Sequence, residues 1–233
     1  MTGSGNLLPT AKKREGARKL HKRDRLTLIA ALLVGGLLAG CSGGDDRADS
    51  PQLRRCKNLL GSGNVDSAVD AIGSSDVKAS GTPQADVLAG LLVKEAKRWQ
   101  KSDLLHTAYT ACRMSAFEGD RIIGTVDVSV KWSVLSLKMM DSPQISRTWR
   151  RVNDSLFLAP EASPARMQLL AVCAVPGAVA SQPSDLPLQF EVAAKDLRTE
   201  LRWELLSTFA RSVVEAMDCT KPPVIPSALP AGA

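Results

Sequence analysis

From Val126 to Val134 every second residue is large and apolar, with Asp127, Ser129, Lys131 and Ser133 interleaved among Val126, Val128, Val130, Trp132 and Val134. A period of two sends successive side chains to opposite faces of an extended chain, so this segment predicts a strand that is dry on one face and wet on the other. Such a strand needs neighbours in a sheet and a covering layer over its apolar face. The run Tyr109 to Phe117 supplies the neighbour. Between it and the run Ile122 to Leu135, Glu118-Gly119-Asp120-Arg121 predicts a short hairpin turn.

Helical spacing supplies the covering layer. Leu53 to Leu60 reads as a helix that breaks at Gly61-Ser62-Gly63, and Asn64 is the expected cap for a second helix carrying Val65, Ala68, Val69 and Ile72. Thr82-Pro83 predicts a third helix through Lys101, with Leu88, Leu91, Leu92, Ala96 and Trp99 along one face. After a loop containing Pro143, a short strand is expected at Leu156 to Leu158 and a central strand at Met167 to Val175. A further strand alternates at Leu188, Phe190 and Val192. Asp196 is expected to cap a long final helix with Leu201, Leu205, Phe209, Val213 and Ala216 or Met217 inside. The order of elements predicts one α+β domain over residues 53–219, an antiparallel sheet with helices packed on one face. Each half holds a cysteine-bearing strand followed by an amphipathic one, a faint echo of duplication. Lys221 to Ala233, with Pro222, Pro223, Pro226 and Pro230, reads as the core of an extended or disordered proline-rich tail over 220–233.

The formal charge of +6 invites a polyanion partner until it is located. Residues 1–40 hold eight Lys/Arg and two Asp/Glu, leaving 30 − 8 = 22 basic and 24 − 2 = 22 acidic side chains in 41–233. The remainder is formally neutral, so no nucleic-acid partner is expected. The basic run from Lys12 to Arg25, the apolar stretch from Leu26 to Ala39 and the small residues after it have the zones of a secretion signal. The stretch is short for a bilayer-spanning helix, which needs about 20 apolar residues, and Gly35, Gly36 and Gly40 weaken it further. Leu38-Ala39-Gly40-Cys41 resembles a lipobox, the signal of bacterial lipoproteins. That resemblance implies diacylglycerol on Cys41, cleavage before it, and attachment to the outer face of a bacterial cell membrane. The long basic region departs from the pattern and is compatible with translation starting after Met1. Residues 1–40 are then a signal peptide and 41–52, rich in Gly, Ser and Asp, a flexible tether.

Without Cys41, Cys56, Cys112, Cys173 and Cys219 remain, an even number on the oxidising side of a membrane, where disulfides are the default. Four cysteines allow three pairings and the sequence alone does not choose. The favoured arrangement is Cys56 with Cys112 and Cys173 with Cys219, each tying a helical segment to a strand in its own half. The lipobox, Arg55-Cys56, Val172-Cys173-Ala174-Val175-Pro176-Gly177 and Ala210 to Cys219 together resemble small actinobacterial lipoproteins of unassigned function. The resemblance implies a location and a disulfide pattern, and no activity.

Chemistry-bearing patterns are few. Beyond the signal, His106 is the sole histidine, and HExxH, G-x-S-x-G, a P-loop and C-x-x-C are lacking. No cofactor and no multi-histidine metal site are expected. Asp103 and His106 share a helical spacing, but a polar residue at the start of the hairpin is the ordinary explanation for the histidine. Gly61 and Gly63 lack the third glycine and the preceding strand of a nucleotide loop. Arg147, Trp149, Arg150 and Arg151 are the most suggestive polar group, able to pair with phosphate or carboxylate while the indole stacks, although a solvated loop around one packed tryptophan is the simpler reading. Lys97, Arg98 and Lys101 end a predicted helix, where positive charge favours the dipole. The expectation is a non-enzymatic binding or interaction module for an envelope polymer or protein. An envelope hydrolase using His106 and a structural envelope component are the alternatives.

Overall fold

Strand alternation and helical stripes meet in one sheet and one main layer of helices in a computed structural model, which describes residues 50–231 apart from Ser74, Pro83 and Pro164. The expected signal segment, Cys41 and most of the tether lie outside the described residues. In chain order the elements are α1 (Pro51–Leu60), α2 (Ser62–Ala71), β1 (Asp76–Ser80), α3 (Ala85–Arg98), β2 (Tyr109–Glu118), β3 (Arg121–Trp132), α4 (Leu137–Met140), β4 (Arg150–Asn153), β5 (Leu156–Ser163), β6 (Arg166–Ala171), α5 (Gln182–Asp185), β7 (Leu188–Ala193) and α6 (Thr199–Ala216). The seven strands run in the order β1-β2-β3-β7-β6-β5-β4, every pairing antiparallel. Two meanders therefore join at β3 and β7, where Val128 faces Val192, Val130 faces Phe190 and Trp132 faces Leu188.

The period-two reading holds where the sheet is covered. Val126, Val128, Val130 and Trp132 are buried, whereas Val134 lies past the end of β3 and is 56% exposed. Over this face α6 lays Leu201, Leu205, Phe209, Val213 and Met217, and α1, α2 and α3 contribute to the same core. Phe190 and Phe209 meet edge to face at 5.4 Å. The indole N–H of Trp132 donates to the carbonyl of Leu92 at 3.0 Å, pinning α3 to the sheet. On the opposite face, alternation along β5 and β6 turns Phe157, Ala159 and Leu170 outward, and Met140 and Trp149 cover them in a second, smaller cluster. The rest of that face is polar, with Arg113 on Asp127 and Arg166 on Glu191.

Both favoured disulfides are present, Cys56–Cys112 and Cys173–Cys219, buried within the core. Cys173 follows the end of β6, because the expected strand to Val175 stops at Ala171. From there to Leu186 the chain winds around buried Gln182, which accepts from the Val175 N–H and donates to the carbonyls of Cys173 and Leu186. All four hydrogen-bonding sites of that amide but one are thus used inside the protein.

Several local expectations are corrected. The chain is helical from Pro51 behind the Ser50 cap, so the tether ends earlier than residue 52. Asn64 sits inside α2, not at its start; its amide donates to the Leu60 carbonyl, satisfying the end of α1, and reaches Glu204 and Thr208 on α6. Gly61 alone makes the break, at φ 88°. The N-caps of α3 and α6 are Gln84 and Arg198, not Thr82 and Asp196, and α3 ends at Arg98 rather than Lys101. The edge strands β1 and β4 were not expected, since neither has a dry face of its own. Over 220–231 the proline-rich stretch makes contacts with the domain: Ile225 is buried, the Trp203 indole donates to Ser227 O, Arg211 to Pro226 O and Asn153 to Val224 O.

Candidate functional site

The C-terminal half of α3 presents Leu91, Lys94, Glu95 and Arg98 on one helical stripe, since residues three and four apart stack on a common face. Beyond Arg98 the chain breaks at Trp99 and turns back through Gln100 to Asp103, whose carboxylate accepts from the Gln100 N–H at 2.9 Å. It then crosses over the helix end to enter β2 at Tyr109. Helix end and crossing segment enclose a cleft of about 720 Å³ lined by both, a size ordinary for small-ligand sites.

The inner wall is polar and ordered. His106 has a buried side chain whose Nδ1 lies 3.1 Å from Glu95 Oε1, and the Tyr109 hydroxyl donates to Glu95 Oε2 at 3.3 Å. A carboxylate only accepts, so it is Nδ1 that carries the hydrogen in this contact. Burial holds the Tyr109 hydroxyl above the ordinary tyrosine value, and the negative charge of Glu95 pushes it the same way. Trp99 is 7% exposed, and its indole N–H is buried without an acceptor. Leaving such a donor unmet costs roughly 1–3 kcal/mol.

The outer lip has the opposite character. Leu104 is 72% and Leu105 93% exposed, and Leu91 adds apolar surface from the helix. Lys94 and Arg98 are exposed and, among the described residues, form no ion pair, whereas Lys101 pairs with Asp185 at 3.4 Å. Of the expected helix-end cations, Lys97 and Arg98 lie in the last turn of α3, where positive charge favours the dipole, and Lys101 lies beyond it; Lys94 and Arg98 line the cleft.

His106 thus has a carboxylate partner, but it is Glu95 on α3 and not Asp103, which is engaged in its own turn. Of the group Arg147, Trp149, Arg150 and Arg151, the three arginines are exposed and the tryptophan is buried. Trp149 is 6% exposed and packed in the smaller cluster, out of reach for stacking. Arg150 and Arg151 are successive residues of β4, and Arg151 lies over the Phe157 ring and reaches Asp141. Among the described residues no three His, Cys, Asp or Glu side chains are grouped to hold a metal. Sequence reasoning missed Glu95, hidden among the polar residues of an amphipathic helix, and Leu104-Leu105. A pair of leucines in a stretch otherwise rich in polar residues was the signal for the latter. Compared with known proteins, the chain matches no family model, no curated protein and no solved structure.

Proposed function

We propose that the protein is a bacterial lipoprotein, held on the outer face of the cell membrane by lipid on Cys41, whose domain is a non-catalytic binding module with its ligand site in the cleft between α3 and residues 99–107. The lipobox-like Leu38-Ala39-Gly40-Cys41 supports the anchor, and two buried disulfides suit an oxidising compartment. Among the described residues no helix is long and apolar enough to cross a membrane; the proposed anchor is acyl chains on Cys41, each stabilising attachment by about 0.8 kcal/mol per buried methylene. The observation that carries the binding role is the exposure of Leu104 and Leu105 at the lip of a cleft with an ordered polar wall. Metabolic labelling with a fatty-acid probe tests the anchor: the protein should be marked and found with membranes, and Cys41→Ser should abolish both. An unmarked, cytosolic protein overturns the proposal.

One observation favours an envelope hydrolase instead. The His106–Glu95 pair has the base-and-orienter geometry that nucleophilic catalysis uses. Ester and glycan hydrolysis by the purified domain, lost in His106→Ala, would favour that reading; equal rates with and without His106 would remove it.

A further inference from the structure

We infer that the cleft takes an anionic amphiphile, a molecule with a carboxylate or phosphate head and an alkyl chain; this rests on the cleft being the ligand site. The apolar half of the complementarity is Leu91, Leu104 and Leu105. Two adjacent leucines held 72% and 93% exposed keep apolar area in water that a packed alkyl chain would remove from it.

The charged half follows from which groups are already engaged. Glu95 accepts from His106 and Tyr109, and Asp103 accepts from the Gln100 N–H, so both carboxylates of the cleft are turned to donors of their own chain. Lys94 and Arg98, one helical turn apart, make no such pairing among the described residues. The lining sums to a formal zero from these two cations and two carboxylates, yet the charge left unengaged is positive. An anionic head placed on Lys94 and Arg98 meets two donors that can each form charge-assisted hydrogen bonds, and Arg98 can do so in bidentate fashion. From there an alkyl chain has Leu91 and the two lip leucines to lie on. Trp99 also lines the cleft, and its buried indole N–H has no acceptor among the described residues.

Residues 45–233 form one compact unit with their own core and both disulfides, so the test uses that stretch, which lacks Cys41 and any acyl chain. Fluorescent anthroyloxy-stearate should bind it and be displaced by dodecyl phosphate below its micelle-forming concentration. Lys94→Glu with Arg98→Glu, and separately Leu104→Asp with Leu105→Asp, should each weaken binding by about tenfold or more, a change of roughly 1.4 kcal/mol. Ile122→Asp with Ile123→Asp, exposed side chains at the start of β3, should leave binding as it was. All of these side chains are exposed, so the variants should fold, and an unchanged unfolding midpoint verifies it. Displacement by dodecanol as effective as by dodecyl phosphate overturns the anionic head while leaving the cleft as a ligand site. Displacement by inorganic phosphate alone overturns the alkyl chain. Sedimentation with phosphatidylglycerol vesicles without binding of either monomeric probe replaces the proposal with docking on a bilayer. If no compound's effect depends on Leu104 and Leu105, both the amphiphile and the cleft as ligand site fall.

Discussion

Tyr109 is the only tyrosine in the chain, which makes the electrostatics of the cleft directly measurable by ultraviolet titration of the phenol. Its ionisation is raised above 10.0, first by burial and then by the charge of Glu95. Glu95→Gln should therefore lower it towards 10.0 without restoring it fully, because the burial contribution stays. An unmoved titration would show that Glu95 does not face the hydroxyl. The same shift has a sign for stability. The folded state keeps its proton at pH values where the unfolded chain has lost it, so the stabilisation is complete below 10.0 and is lost as the pH rises through the higher folded value. Denaturation midpoints should fall across that alkaline window, and less steeply in Glu95→Gln.

At the scale of elements, one covalent tie and one close approach hold helices to strands. Cys56–Cys112 joins α1 to β2 across a sequence separation of 56, for which the chain-entropy model gives about 4 kcal/mol. Replacing both cysteines by serine should lower the unfolding free energy in denaturant by that order. A change below about 1 kcal/mol would mean that the reduced chain already keeps α1 near β2. Where α2 ends against β3, a Cβ on Gly124 would come within 2.9 Å of Ile72 Cβ and 3.1 Å of its carbonyl oxygen. Gly124→Ala should cost about 1–3 kcal/mol by overpacking, read as a shift in the urea midpoint. An unchanged midpoint would show that α2 can shift away from the strand.

The folded domain is closed by the stretch that follows α6. After α6 the chain folds back along that helix, burying Ile225 and offering the carbonyls of Val224, Pro226 and Ser227 to Asn153, Arg211 and Trp203. Ending the chain at Thr220 should remove about 2 kcal/mol of apolar burial alone and lower Tm by roughly 5 °C for a domain of this size. A thermal melt identical to the full domain's would show the tail to be dispensable. The proline pattern predicts a stretch that is extended or disordered, because prolines fix the backbone and remove donors. It could not say that the carbonyls, which proline retains, would find partners on β4 and α6.

Local pattern was sufficient wherever a period of two or of 3.6 residues coincided with a buried face: β2, β3 and β7, the inner stripe of α6 and, except for exposed Leu91, that of α3 follow directly from their side chains. It failed at β1 and β4, edge strands whose hydrogen bonds rather than side chains place them, and at the helix caps, where one or two polar residues compete for the same role. His106 was visible as the lone histidine of the domain, and its partner was not, because Glu95 and His106 are brought together only by the chain turning back at Trp99. The same turn leaves Leu104 and Leu105 in water. Sequence alone determined the fold class and the even set of cysteines, since burial and oxidation act on residue type and spacing. Tertiary structure decided the cleft, since a site is a distance between side chains that no periodicity encodes.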